Sequence, residues 1–306
     1  MTDAPNHFPG LPLRDLAGFT HRWVDAEGIR LHAVEGGRSS GPTVVLLAGF
    51  PQTWWAWHQA MPRLAERFHV LAIDLPGQGH SDRPQGSYDT HTVASRVQAA
   101  LTALNVPKYW LVAHDIGACV AFSLALRYQD HLHGVALLDA GIPGITLPDT
   151  IPTDPERAWK TWHLAFHAVP ELPETLITGR ERDYVGWFLR VKTLSPNTFD
   201  SADIDHYAAA IAAEGGLRAF LAYFRDGEES ARKNRDALER GHLTIPVLGI
   251  SSSHGSIPDM AASLSPWAEN VTGVVIGEAG HFIPDEQPDA TVDALTAFID
   301  QARGQG

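Results

Sequence analysis

The chain has one cysteine, Cys119, among 306 residues, which excludes an intrachain disulfide. Basic residues are also scarce: 23 Lys and Arg against 36 Asp and Glu give a net charge of -13. Such an acidic chain repels phosphate backbones and anionic lipid, so neither nucleic acid nor a membrane is expected as a partner. The 16 histidines would soften that charge in mild acid. No apolar run approaches the about 20 residues that a membrane-spanning helix needs. Met1 to Gly10 lacks a basic segment followed by an apolar one, so no secretory signal is read and a cytoplasmic location is expected. Internal repeats and low-complexity tracts are lacking. The histidines show no H-E-x-x-H or comparable ligand spacing, so neither a metal nor another cofactor is expected.

What is present is an ordinary globular composition, 44% hydrophobic and 19% charged, at a length that suits one large α/β domain with an insertion. Short apolar, β-branched runs predict strands over 21–27, 30–36, 43–47, 69–73, 109–113, 134–138, 246–250 and 273–276. Helical patterns separate most of them, including one around Met61–Arg67 and one over 117–128. This alternation predicts an α/β fold, with a mostly parallel eight-stranded sheet flanked by helices.

Residues 142–240 break the alternation. They are helix-like and aromatic, with Trp159, Trp162, Phe166, Trp187, Phe188, Tyr207, Phe220, Tyr223 and Phe224, and Pro143, Pro148, Pro152 and Pro155 cluster at their entry. An insertion here reads as a helical cap over the carboxyl ends of the strands, where α/β sites lie. A plain helical subdomain with its own aromatic core is the other reading. The expected division is a core of residues 1–141 and 241–306 and a cap of residues 142–240. The tail Arg303 to Gly306 is expected to fray.

Trp110 to Cys119 reads as a buried strand, a sharp turn and a helix. That is the setting of G-x-S-x-G, in which a turn lifts a nucleophile above a sheet. Here Asp115 holds the serine's seat and Ala113 that of the first glycine. A carboxylate there can displace a leaving group from an sp3 carbon and be left as an ester. Read alone, Asp115 also suits a helix N-cap.

His281, in Gly277-Glu278-Ala279-Gly280-His281-Phe282 after the last apolar run, is placed to draw a proton from water. Asp139, ending its strand, is placed to hold the far nitrogen of that ring. Its rival, Asp259, lies nine residues beyond Ile250, and Asp139 is preferred. In Leu47-Ala48-Gly49-Phe50-Pro51 a turn lets the Phe50 amide face the site. With the Ile116 amide it would form an oxyanion hole for the charge that develops when water attacks the enzyme's own ester. Asp74 to Asp82 is rich in turn formers and reads as a structural loop beside the site.

These motifs, in order and from about residue 20 to residue 300, resemble the α/β-hydrolase fold and, within it, the epoxide hydrolase and dehalogenase branch. A-G-F-P is similar to that branch's H-G-x-P, with Ala48 in the histidine's place. D-L-P-G-Q-G-H-S-D is similar to its D-x-x-G-x-G-x-S, H-D-I-G carries its aspartate, and G-H-F-I-P-D-E-Q-P its histidine. Gln52-Thr53-Trp54, Val112 to Gly117 and Glu174 to Ile177 look most like the Cif-like bacterial epoxide hydrolases.

That resemblance implies an acid after the sixth strand, matching Asp139, and two cap groups donating to the epoxide oxygen. One is the histidine of a W-H pair, matching Trp162-His163. The other is a tyrosine before an arginine, but the pair here is Phe224-Arg225. Tyr223 is the expected stand-in, with Tyr207 a second candidate, although one helical residue is about 100° of rotation. Trp54, Trp162 and Phe224 are expected to line an apolar pocket.

The implied activity is opening of a small apolar epoxide to a vicinal diol through an aspartyl ester, with water as co-substrate. A dehalogenase acting on haloalkanes or haloacids is the alternative. The tryptophan or arginines that such enzymes place just after the nucleophile are replaced here by Ile116 and Cys119, leaving Trp54, Trp55 or Trp162 as halide contacts. A diverged ligand binder or non-hydrolytic enzyme is a third reading. Dimerisation through the cap is frequent in the group, so a homodimer is compatible with the resemblance.

Overall fold

The computed structural model describes residue 8, residues 10–147 and residues 154–304. Met1–His7, Pro148, Pro152 and Gln305–Gly306, which carried some of the expectations above, lie outside them. Strands form where the apolar runs lie: β1 (Phe19–Ala26), β2 (Ile29–Gly37), β3 (Thr43–Leu47), β4 (His69–Ile73), β5 (Tyr109–His114), β6 (Leu132–Leu138), β7 (Leu243–Ser252) and β8 (Ala268–Ile276). They make one eight-stranded sheet in the order β1-β2-β4-β3-β5-β6-β7-β8. β2 runs antiparallel to both neighbours, and every other pairing is parallel.

Side chains alternate across the pleat, so even unbroken apolar runs serve two layers. Tyr109, Leu111 and Ala113 of β5 face one core, and Trp110 and Val112 the other. The first core is closed by α2 (Thr90–Ala103) and α3 (Ile116–Tyr128), joined further along by α10 (Met260–Leu264). The second is closed by α1 (Met61–Ala65) and α12 (Pro288–Gly304). α3 is buried from Ile116 to Ala125, which explains its nearly all-apolar sequence. α2 starts at Asp89, whose carboxylate accepts from the amides of His91 and Thr92 at 3.1 Å.

Between β6 and β7 lie α4 (Pro155–Ala168), α5 (Leu172–Ile177), α6 (Glu181–Lys192), α7 (Ser201–Ala212), α8 (Gly216–Arg225) and α9 (Gly227–Leu238), with no strand among the described residues. Val185, Phe188, Tyr207, Phe220 and Tyr223 from this stretch are continuous with the first core layer. A short helix, α11 (Ile283–Glu286), follows β8 and His281. The outer strands are longer than their apolar runs predict. β8 is an edge strand with most residues exposed, so its first half carries no hydrophobic signal.

Candidate active site

The β5–α3 junction places Asp115 at φ 53° and ψ -125°, a conformation costly for a non-glycine residue and found where function holds it. Two glycines make room for this turn. A Cβ on Gly49 would lie 2.3 Å from Asp115 Oδ1, and one on Gly117 would lie 2.6 Å from the Leu47 carbonyl oxygen. The Phe50 amide donates to Asp115 Oδ1 at 2.8 Å. Ile116 follows on the cavity wall. Asp115 has no side-chain capping bond to its own helix, so the cap reading of this residue does not hold.

His281 Nε2 stands 3.4 Å from Asp115 Oδ2, and its Nδ1 lies 2.7 Å from Asp139 Oδ2. Asp139 is fully buried and also accepts from the amides of Ser256 at 2.8 Å and Ile257 at 2.7 Å. Its oxygens are thereby fixed, and with them the ring. Asp259 instead caps α10, accepting from the Ala262 amide at 2.8 Å. The main chain of His281 is held at both ends. Its N–H donates to the Lys192 carbonyl at 2.8 Å, and its carbonyl accepts from His114 Nε2 at 2.8 Å.

Burial works to raise the pKa of Asp115. The adjacent His281 ring, then His114 and Lys192, outweigh it and hold the carboxylate well below its usual range. Asp139 is lowered in the same way, with His281 and two amides overcoming burial. His281 is pulled down by burial and by Lys192 but raised on balance by its two carboxylates. Its protonated form is therefore favoured while Asp115 carries charge.

These groups open onto a cavity of about 380 Å³ whose apolar wall includes Ile116, Leu147, Leu164, Phe224 and Ile257. Asp115 keeps 21% of its side chain exposed, against 4% for His281. His163 reaches the cavity from α4, and burial, Lys192 and His167 push its pKa well below 6.5, so it is neutral. Phe224 lies on the same wall, 5.9 Å from the His163 ring centre.

Three expected site residues are placed otherwise. The Tyr223 hydroxyl donates to the Pro76 carbonyl at 2.8 Å, so its single proton is committed away from the cavity. Trp54 sits on a tight turn whose amide donates to Asp74, and its indole fills the second core layer on the far side of the sheet. Trp162 precedes His163 by one helical residue and turns instead toward Phe166, Tyr184 and Trp187. Tyr207, the second tyrosine candidate, is buried against Gln52 and Phe199.

Sequence reasoning passed over His114, which fixes His281, and Lys192, which lines the cavity. A signal for Lys192 existed: it continues the row Val185-Phe188-Leu189 at helical spacing, on a face that should be apolar. The loop Asp74–Asp82 does architectural work. Asp74 accepts from the amides of Trp54 at 2.7 Å and His80 at 3.2 Å, and pairs with His32 at 2.7 Å.

Residues 42–288 match the alpha/beta hydrolase fold family. The chain is 34% identical to the soluble epoxide hydrolase of Corynebacterium sp. (strain C12), over 92% of this chain and 97% of that protein. It is 28% identical to a fluoroacetate dehalogenase of Burkholderia sp., over 94% and 95%. The crystal structure of wild-type Cfl2 from Burkholderia cenocepacia superimposes with a TM-score of 0.91 at 50% identity, covering 96% of this chain and 98% of that one. The protein therefore belongs to the α/β hydrolase fold family, in the branch that holds the soluble epoxide hydrolases.

Proposed function

We propose that this enzyme opens a small apolar epoxide to a vicinal diol through an ester on Asp115. The observation that carries the reading is the pairing of a depressed carboxylate on the elbow with a buried imidazole at its other oxygen. Asp115 attacks an epoxide carbon, and the neutral His163 donates to the ring oxygen. Once the ester forms, Asp115 loses its charge, one of the two carboxylates that hold the His281 proton disappears, and the ring releases that proton to solvent and becomes a free base. His281 Nε2, which has no hydrogen-bond partner among the described residues, then takes a proton from water. Water adds to the ester carbonyl, and the Phe50 amide, with that of Ile116, steadies the resulting oxyanion. Asp139 keeps the ring oriented.

In this reading the helices between β6 and β7 act as a cap, since α4 supplies His163 and α8 supplies Phe224 to the wall above Asp115. They exclude bulk water, and their aromatic lining suits an apolar substrate.

Single turnover in oxygen-18 water tests the chemistry. Because water attacks the ester carbonyl, the label is expected in the Asp115 peptide, and the first diol is expected to carry unlabelled oxygen from Asp115. Label appearing directly in the diol would mean that water, not Asp115, opens the ring. An ester formed from haloacids or haloalkanes but from no epoxide would move the assignment to dehalogenation.

A further inference from the structure

Lys192 ends α6 and is 4% exposed. Its carbonyl holds the His281 amide, while its side chain passes the Phe188 ring, 4.9 Å from Nζ, and donates to the Lys160 carbonyl at 3.2 Å. A helical carbonyl points along the axis toward the next turn, which here carries His163. The ammonium thus crosses from the loop of the base to the helix of the proposed donor, on the wall that also holds Asp115. Of its three N–H donors, one is used by Lys160, and among the described residues it makes no ion pair. A buried cation without a paired carboxylate is costly, and such a group in a cleft is a candidate for chemistry.

The epoxide reading leaves a need at this place. The opening ring releases an alkoxide, and Phe224 and Tyr223 have no proton to give it. His163 is neutral and can orient the oxygen, but losing its proton would leave an imidazolate. We propose that Lys192 is the acid that protonates the oxygen expelled by Asp115, in place of the hydroxyl absent at Phe224. The proposal rests on the epoxide reading. The Asp115 oxygen–carbon bond forms, the carbon–oxygen bond of the ring breaks with its pair on oxygen, and a proton passes from Nζ to that oxygen. Ester hydrolysis returns Asp115 as a carboxylic acid, and the proton it sheds restores the ammonium.

The charged and titratable groups around Nζ are Asp115 and Asp139 from the sheet, Lys160, His163 and His167 from α4, and His281 from its loop. Burial brings the ammonium down to about 8, partly offset by the two carboxylates. That suits proton donation near neutral pH.

Rapid quenching with intact-protein mass spectrometry, using an aryl epoxide, follows ester formation directly. In the unmodified enzyme the rate is expected to fall above pH about 8. In Lys192→Met it is expected to be ~10²–10⁴-fold lower and independent of pH across that range. Absence of the basic limb in the unmodified enzyme overturns the proposal without recourse to any variant. Ester formation in Lys192→Met at the unmodified rate also overturns it, yet leaves the epoxide reading intact because the ester is still seen. A loss confined to epoxides bearing a carboxylate would make Lys192 a substrate anchor and remove it as the acid. No ester in the unmodified enzyme overturns both readings.

Discussion

In the proposed mechanism His163 acts as a donor, and its surroundings favour the uncharged ring that this needs. Burial is the largest cause, followed by Lys192 and His167, and its Nδ1 is buried with no partner among the described residues. Its ring packs edge-on against Phe188 and Phe224, so replacing it with alanine leaves a small cavity. His163→Ala is expected to slow epoxide opening by ~10²–10⁴-fold, far more than it affects folding. Thermal unfolding together with the rate of ester formation checks this, and unchanged turnover would remove His163 from the mechanism. Tyr223 does not join it as a donor, for a geometric reason that the sequence does not carry. Tyr223 and Phe224 both reach the cavity wall, but only a backbone can tell that the Tyr223 hydroxyl turns to Pro76.

At the scale of elements, the elbow depends on two chain segments, the turn after β3 and the β5–α3 junction, meeting without a side chain between them. Gly49 sits on the turn after β3, and a methyl group there would strike Asp115 Oδ1 and Cβ. Gly49→Ala is expected to cost about 1–3 kcal/mol, as overpacking does, and to displace both Asp115 and the Phe50 amide. Urea unfolding gives the first quantity, and loss of ester formation in the folded variant shows the second. Much of this arrangement was legible in the sequence. A continuous apolar run ending in Ala-His-Asp-Ile-Gly announced the elbow, and Asp139 and His281 each follow a strand whose apolar core is plain. Strand ends, however, were read short where exposed edge residues alternate. Trp54 and Trp162 were misplaced because aromatic composition does not say which face a ring takes. Lys192 was missed because a lysine at a helix end ordinarily reads as solvated.

Across the whole molecule, buried neutral histidines make stability depend on pH. Burial is the largest cause lowering His80, His114 and His206 to about 4 and His167 to about 3. Above pH 6.5 they are neutral both folded and unfolded and cost nothing. As pH falls below 6.5 the unfolded chain takes up protons that the folded chain refuses. Each such group then removes roughly 1.4 kcal/mol per pH unit until its folded pKa is reached. His281, Asp285 and Glu286, all raised in the folded state, act in the opposite sense but are fewer. The melting temperature is therefore expected to drop as pH is lowered from 6.5 toward 4, and a flat or rising profile would contradict this balance.

One further consequence lies in the main chain of His281, tied at one end to β5 through His114 and at the other to α6 through the Lys192 carbonyl. If α6 swings outward to admit substrate, it must let go of the His281 amide. On the proposed mechanism, admission of substrate and activation of water would then be mutually exclusive states of one mechanical linkage.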